Sequence, residues 1–169
     1  MVTADLASLA SVREAAKRIA TEHAPVDALV LNAGTQVLSA DRTTQDGFEL
    51  TFGVNHLAHF LLTTLLIDAG ALVDGARVVS LGSGTHHSSR RRTLGFPAAR
   101  WRDPRALAAP HAGSGRVAYA TSKLAVILSA FELARSEPSL RSNAFDPGLV
   151  PATASRAPSR PSRSACTTA

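Results

Sequence analysis

The amino-acid sequence predicts an α/β fold, a parallel sheet with helices packed on both of its faces. Short runs with β-branched and leucine residues at 26–31 and 77–81, and a weaker run at 141–145, alternate with long stretches of helical periodicity. Each run stops at a turn signal: Asn32-Ala33-Gly34, Gly82-Ser83-Gly84 and Asp146-Pro147-Gly148 in turn. Strands joined through long helices form right-handed crossovers, and ligands of such sheets gather beyond the C-terminal strand ends.

The elements follow in order. Ser11-Val12-Arg13-Glu14 has the form of a capping box, and Val12, Ala16, Ile19 and Ala20 then place an apolar stripe on a first helix. The run at 26–31 is a buried strand. Residues 46–66 carry Phe48, Phe52, Leu57, Phe60, Leu61, Thr64 and Leu65 at helical spacing, with the poor helix formers Gly53 and Asn55 in the middle. That placement predicts a local distortion of a long helix. A second strand at 77–81 precedes a polar, arginine- and proline-rich stretch, 85–115, without periodicity. A second long helix follows, and then a third strand at 141–145.

Composition bounds the function. The chain has 169 residues, 45% of them hydrophobic, enough for one domain with a sizeable core. Its net charge of +5 is local: 90–105 holds six Arg and one Asp, and 154–169 holds three Arg and no acid. The rest is slightly acidic. The Arg90-Arg91-Arg92 run has no interleaved aromatics and matches no binding module, so it reads as solvated surface and no nucleic acid partner is expected. A single cysteine, Cys166, cannot form an internal disulfide, and no secretory leader is visible, so the expected location is cytoplasmic. No stretch reaches 18 uninterrupted apolar residues, because His59, Asp68 and two Thr break the richest run, so no membrane span is expected.

The chemistry concentrates in Tyr119 and Lys123. They are the only tyrosine and one of two lysines, four residues apart and thus on one helix face. An ammonium beside a phenol favours the phenolate, so the pair predicts a lowered tyrosine pKa and a proton donor or acceptor at neutral pH. Taken alone, the pair also fits a solvated contact on a helix surface.

Four motifs together resemble the short-chain dehydrogenase/reductase family over residues 4 to 150: Asn32-Ala33-Gly34 after one strand, Asn55 in a long helix, Ser83 after the next strand, and Tyr119-Ala-Thr-Ser-Lys123 on the following helix. The resemblance implies a Rossmann-like, doubly wound parallel sheet and an NAD(P)-dependent oxidoreductase that interconverts a carbonyl and an alcohol. It implies Asn55, Ser83, Tyr119 and Lys123 as the catalytic set. Ser83 would hold the substrate oxygen, Tyr119 would exchange the proton, and Lys123 would also reach the nicotinamide ribose. Asn55 would distort its helix so that a backbone carbonyl holds a water. Asp5 and Leu6 would lie at the adenine side, Asn32, Ala33 and Gly34 against the cofactor, and Pro147 and Gly148 on the nicotinamide side. NAD and NADP are not distinguishable, and the partners implied are a small carbonyl or alcohol substrate and a second copy of the chain.

The chain departs from the family pattern at both ends. The strand and Gly-rich phosphate turn with which the family begins have no counterpart, so the sheet is expected to be partial, its first βαβαβ half largely missing. Residues 151–169, built of Ala, Ser, Thr, Pro, Arg and Cys, are expected to form a disordered basic tail. Weak nucleotide binding is the expected consequence, and a non-catalytic remnant or interaction module is the alternative reading.

Two rivals fail on spacing. A hydrolase nucleophile elbow needs Gly two before and two after Ser83, where Leu81 and Thr85 stand. His56 with His59, or His86 with His87, lack the thiol or carboxylate neighbours of a metal site, so no metal is expected.

Overall fold

A computed structural model describes residues 1–87 and 95–148. The Arg90-Arg91-Arg92 run and the expected tail at 151–169 lie outside the described residues. Helix α1 (Leu9–Glu22) is followed by β1 (Val26–Leu31) and by a helical stretch in three pieces. These are α2 (Leu50–Phe52), a π-helical turn (Gly53–Leu57) and α3 (Ala58–Asp68). Strand β2 (Leu72–Leu81), a 3-10 turn (Gly84–His86), α4 (Pro104–Ala108), α5 (Gly115–Ser136) and β3 (Arg141–Phe145) complete the order.

The three strands form one parallel sheet in the order β1-β2-β3. Both crossovers step the same way across the sheet, so right-handedness puts α3 and α5 on the same face, and α1 packs beside α3. The register agrees: Leu31 pairs with Ser80 and Val78 with Ser142 on the covered side, where Leu31, Val78 and Ser80 are buried and the Ser142 hydroxyl donates to the Ala130 carbonyl of α5. On the other side, Val30 is 63% exposed and Phe145 55% exposed. The expectation of helices on both faces is therefore not met among the described residues. A second helical layer needs a crossover running the opposite way along the sheet, and none of the described connections does so.

Three sequence expectations shift for local reasons. The first helix starts one turn before the supposed capping box: Ser8 is its N-cap, accepting from Ser11 N–H, while the Ser11 hydroxyl accepts from Asp5 N–H at 2.9 Å. The second strand is ten residues long rather than five, because Leu72 and Val73 extend it through Asp74-Gly75, where Gly75 has a φ of 79°. The aperiodic stretch after Ser83 contains the short α4, whose Leu107 and Ala108 form a small core with Phe52 and Ala125.

Two helical stretches, Leu50–Asp68 and Gly115–Ser136, are long and apolar enough by composition to cross a membrane. This corrects the expectation that none would be. Isolated polar residues break a run of letters but not an average over 18 residues, and each stretch tolerates them. Both are packed here, with 44% of the most apolar window buried in each.

Candidate active site

The C-terminal edge of β2 leads directly into the site. Ser83, in extended backbone, caps the 3-10 turn: its hydroxyl oxygen accepts from Thr85 N–H at 3.3 Å and from the Thr85 hydroxyl at 3.1 Å. The His86 ring nitrogen Nδ1 sits 2.6 Å from the Ser83 carbonyl, which fixes the turn from behind.

Tyr119 reaches toward Ser83 from α5, near enough for the Ser83 hydroxyl to favour the phenolate. Its ring meets the edge of Phe96 at 6.1 Å, and the Lys123 ammonium lies 5.7 Å from its centroid. Burial raises the phenol above its ordinary value of 10; the Ser83 hydroxyl pulls it down and the Asp146 carboxylate pushes it up again. This corrects the expectation that Lys123 would lower it. The ammonium donates instead to the Leu81 carbonyl at 2.7 Å, and it is itself held below its ordinary value by burial, being 4% exposed.

Asn55 ties the site together from within the π-helical turn. Its amide donates to the Thr35 carbonyl at 2.9 Å and to the Ser122 hydroxyl at 3.1 Å, while its Oδ1 accepts from Thr35 N–H at 2.7 Å. Ser122 in turn donates to the Tyr119 carbonyl at 2.8 Å. The loop after β1 is thus fastened to the helix that carries Tyr119 and Lys123. The Asn55 backbone carbonyl favours the charged form of the His59 ring, though less than burial opposes it. His59 is 7% exposed, and with His56 it lines a cavity of about 270 Å³ between α3 and α5. Burial holds both imidazoles down to about 4, with Lys123 adding to the effect at His59.

Asn32, Ala33 and Gly34 are exposed at the end of β1. A Cβ on Gly34 would come within 3.1 Å of Asn55 Oδ1 and 3.9 Å of Lys123 Nζ, so this backbone approaches the Lys123 end of the site as only glycine allows. Pro147 and Gly148 follow β3 and are also exposed. Asp5 and Leu6 lie apart from these contacts, at the start of α1, where the Asp5 carboxylate accepts from Ala7 N–H and the Gln45 amide. Sequence reasoning passed over Thr35, His59, Ser122 and Asp146. Ser122 lies between the two conspicuous residues of its helix, and Asp146 precedes a noticed Pro-Gly pair, but neither spacing announces a contact.

The geometry defines a class: a parallel α/β sheet whose strand ends gather a hydroxyl, a phenol, an ammonium and a glycine-lined backbone. The sequence profile of the family described as short chain dehydrogenase matches residues 1–101, and the chain belongs to that family of NAD(P)-linked oxidoreductases. The matched part contains Asn32-Ala33-Gly34, Asn55 and Ser83. Among similar proteins, mouse (Mus musculus) polyprenol dehydrogenase is 44% identical over 155 residues, covering 86% of this chain and 42% of that protein. Human (Homo sapiens) retinol dehydrogenase 13 is 38% identical over 148 residues, covering 86% and 41%. A blue fluorescent protein from a metagenomic library, solved in complex with NADPH, is 27% identical with a TM-score of 0.60, covering 85% of this chain and 49% of that one. The chain thus spans less than half the length of these proteins.

Proposed function

We propose that this chain carries the reaction centre of an NAD(P)-dependent oxidoreductase that interconverts a carbonyl and an alcohol. The observation that supports it best is the convergence of the Ser83 hydroxyl and the Lys123 ammonium on Tyr119, the ammonium 5.7 Å from the ring centroid. NADH or NADPH, when bound, supplies the hydride. Ser83 and Tyr119 converge on the position of the substrate oxygen. The phenol, kept protonated by burial, donates to that oxygen as negative charge develops on it. Lys123 is held toward Gly34 and the Leu81 carbonyl, where its remaining protons can bind ribose hydroxyls. Asn55 keeps the Asn32-Ala33-Gly34 backbone in register with α5 through Thr35 and Ser122. Asn32, Ala33, Gly34, Tyr119, Lys123, Pro147 and Gly148 are the residues that would hold the nicotinamide half; Asp5 and Leu6 would lie toward the adenine.

Dehydrogenases of polyprenol and retinol among the relatives support an alcohol or carbonyl substrate of apolar character. The test is consumption of NADH or NADPH with a panel of apolar aldehydes and ketones. Wild type should turn over, and Y119F should lose at least about a hundredfold in turnover at saturating nucleotide. Equal rates in the two would end this reading.

A second reading, a non-catalytic or self-associating module, is favoured by Phe60 on α3 with Leu128 and Phe131 on α5, which are 56%, 41% and 69% exposed. Light scattering across a concentration series tests it: a monomer at every concentration excludes pairing through these helices.

A further inference from the structure

Asp146 neither holds substrate nor moves a proton in the reaction proposed for Ser83 and Tyr119, yet the fold brings its carboxylate beside them. The Phe145 carbonyl accepts from Gly82 N–H at 2.7 Å, which draws the end of β3 against the turn that follows β2. There, Asp146 Oδ2 lies 3.1 Å from where a Cβ on Gly84 would stand, so the bare glycine admits the carboxylate next to Ser83. The other oxygen, Oδ1, accepts from Gly148 N–H at 3.0 Å and cannot swing freely away. Resting on the oxidoreductase reading above, we infer that Asp146 is a specificity-determining residue, disfavouring substrates with a negative charge beside the reacting carbonyl and favouring neutral or cationic ones.

A substrate oxygen held between Ser83 and Tyr119 brings the atoms next to the reacting carbon alongside Gly84, and so alongside the carboxylate. The same charge already acts on the phenol: Asp146 is one of the influences that raise Tyr119. Among the described residues, the other groups facing Tyr119 are the Ser83 hydroxyl, the Lys123 ammonium at 5.7 Å, and Phe96, which carries the Arg116 guanidinium 5.9 Å above its ring. Lys123 is held to Leu81, so among the described residues Asp146 is the charge on the Ser83-Gly84 side. Two like charges a few ångströms apart at a partly solvated site separate affinities by roughly tenfold.

The test uses the full chain with D146N and D146E. Tyr119 is the only tyrosine, so near-ultraviolet titration of phenolate absorbance reads it alone, without cofactor or turnover. D146N should titrate at lower pH than wild type, D146E should stay close to wild type, and added salt should narrow the gap. Identical midpoints in all three proteins overturn the inference. With NADPH, the ratio of kcat/KM for a 2-oxo ester over its 2-oxo acid should fall about tenfold in D146N, and an unchanged ratio also overturns it. Failure of the oxidoreductase reading would show separately, as no nucleotide binding in any of the three, and the phenol titration would still decide whether Asp146 acts at the site.

Discussion

Asn55 and Thr35 are paired twice: the side-chain amide of one satisfies both the N–H and the carbonyl of the other, at 2.7 and 2.9 Å. A side chain thus does for the loop after β1 what a neighbouring strand does for a sheet edge. Asn55 is 1% exposed, so N55A would leave Thr35 without either partner inside the fold. A loss of about 2–4 kcal/mol is expected, read by denaturant unfolding. N55D keeps one acceptor but adds a buried charge and should be worse than N55A.

The phenol of Tyr119 gives a direct titration. Its midpoint should lie above 10, because burial opposes the phenolate. S83A removes the hydroxyl that favours the phenolate and should raise the midpoint further. The sign for stability follows. A raised folded value means that the unfolded chain ionises first, so stability is full below the ordinary value near 10 and falls as the pH climbs through it. Absorbance titration and alkaline unfolding should agree; an S83A midpoint below wild type contradicts the assignment.

His56 and His59 govern the acid side. Both lie near 4 in the fold against an ordinary 6.5, so the unfolded chain takes up protons first as pH falls. Stability is fully present above 6.5 and is lost between 6.5 and 4, by at most roughly 3 kcal/mol per imidazole. Unfolding free energy should slope steeply across that window in wild type and flatten in H56Q and H59Q; parallel slopes would remove these residues from the account.

Gly115 begins α5 where no side chain fits. A Cβ there would overlap the Val37 carbonyl, and Gly115 N–H donates to the Leu38 carbonyl at 3.0 Å. G115A should cost more than about 3 kcal/mol or prevent folding, whereas G47A, at an open turn with a φ of 83°, should cost only about 1 kcal/mol. Comparable losses in the two would show that the approach to Val37 is relaxed easily.

Much of this was legible in the residues themselves. Val26–Leu31 occupies the run its β-branched and apolar content marks, Arg141–Phe145 forms where a weaker signal stood before Asp146-Pro147-Gly148, and Gly53 with Asn55 did signal a distorted helix, realised as the π-helical turn. Tyr119 and Lys123 share a helix face as a four-residue spacing requires. What spacing could not reveal is where long, flexible groups turn. Lys123 bonds a backbone carbonyl of β2 rather than acting on the phenol, and Asp146 enters only because Gly84, 62 positions earlier, has no side chain. Such outcomes depend on the packing of several segments at once. Likewise, the side of the sheet on which each helix lies depends on strand order, which local pattern does not contain.

That strand order bears on how the protein behaves in solution. With α1, α3 and α5 all stacked against one side, Val30 and Phe145 form part of a water-facing apolar slab. Any body that shields this slab adds stability by mass action, so the melting temperature should climb with concentration if copies of the chain shield one another, and detergent below its micellar threshold should mimic that gain.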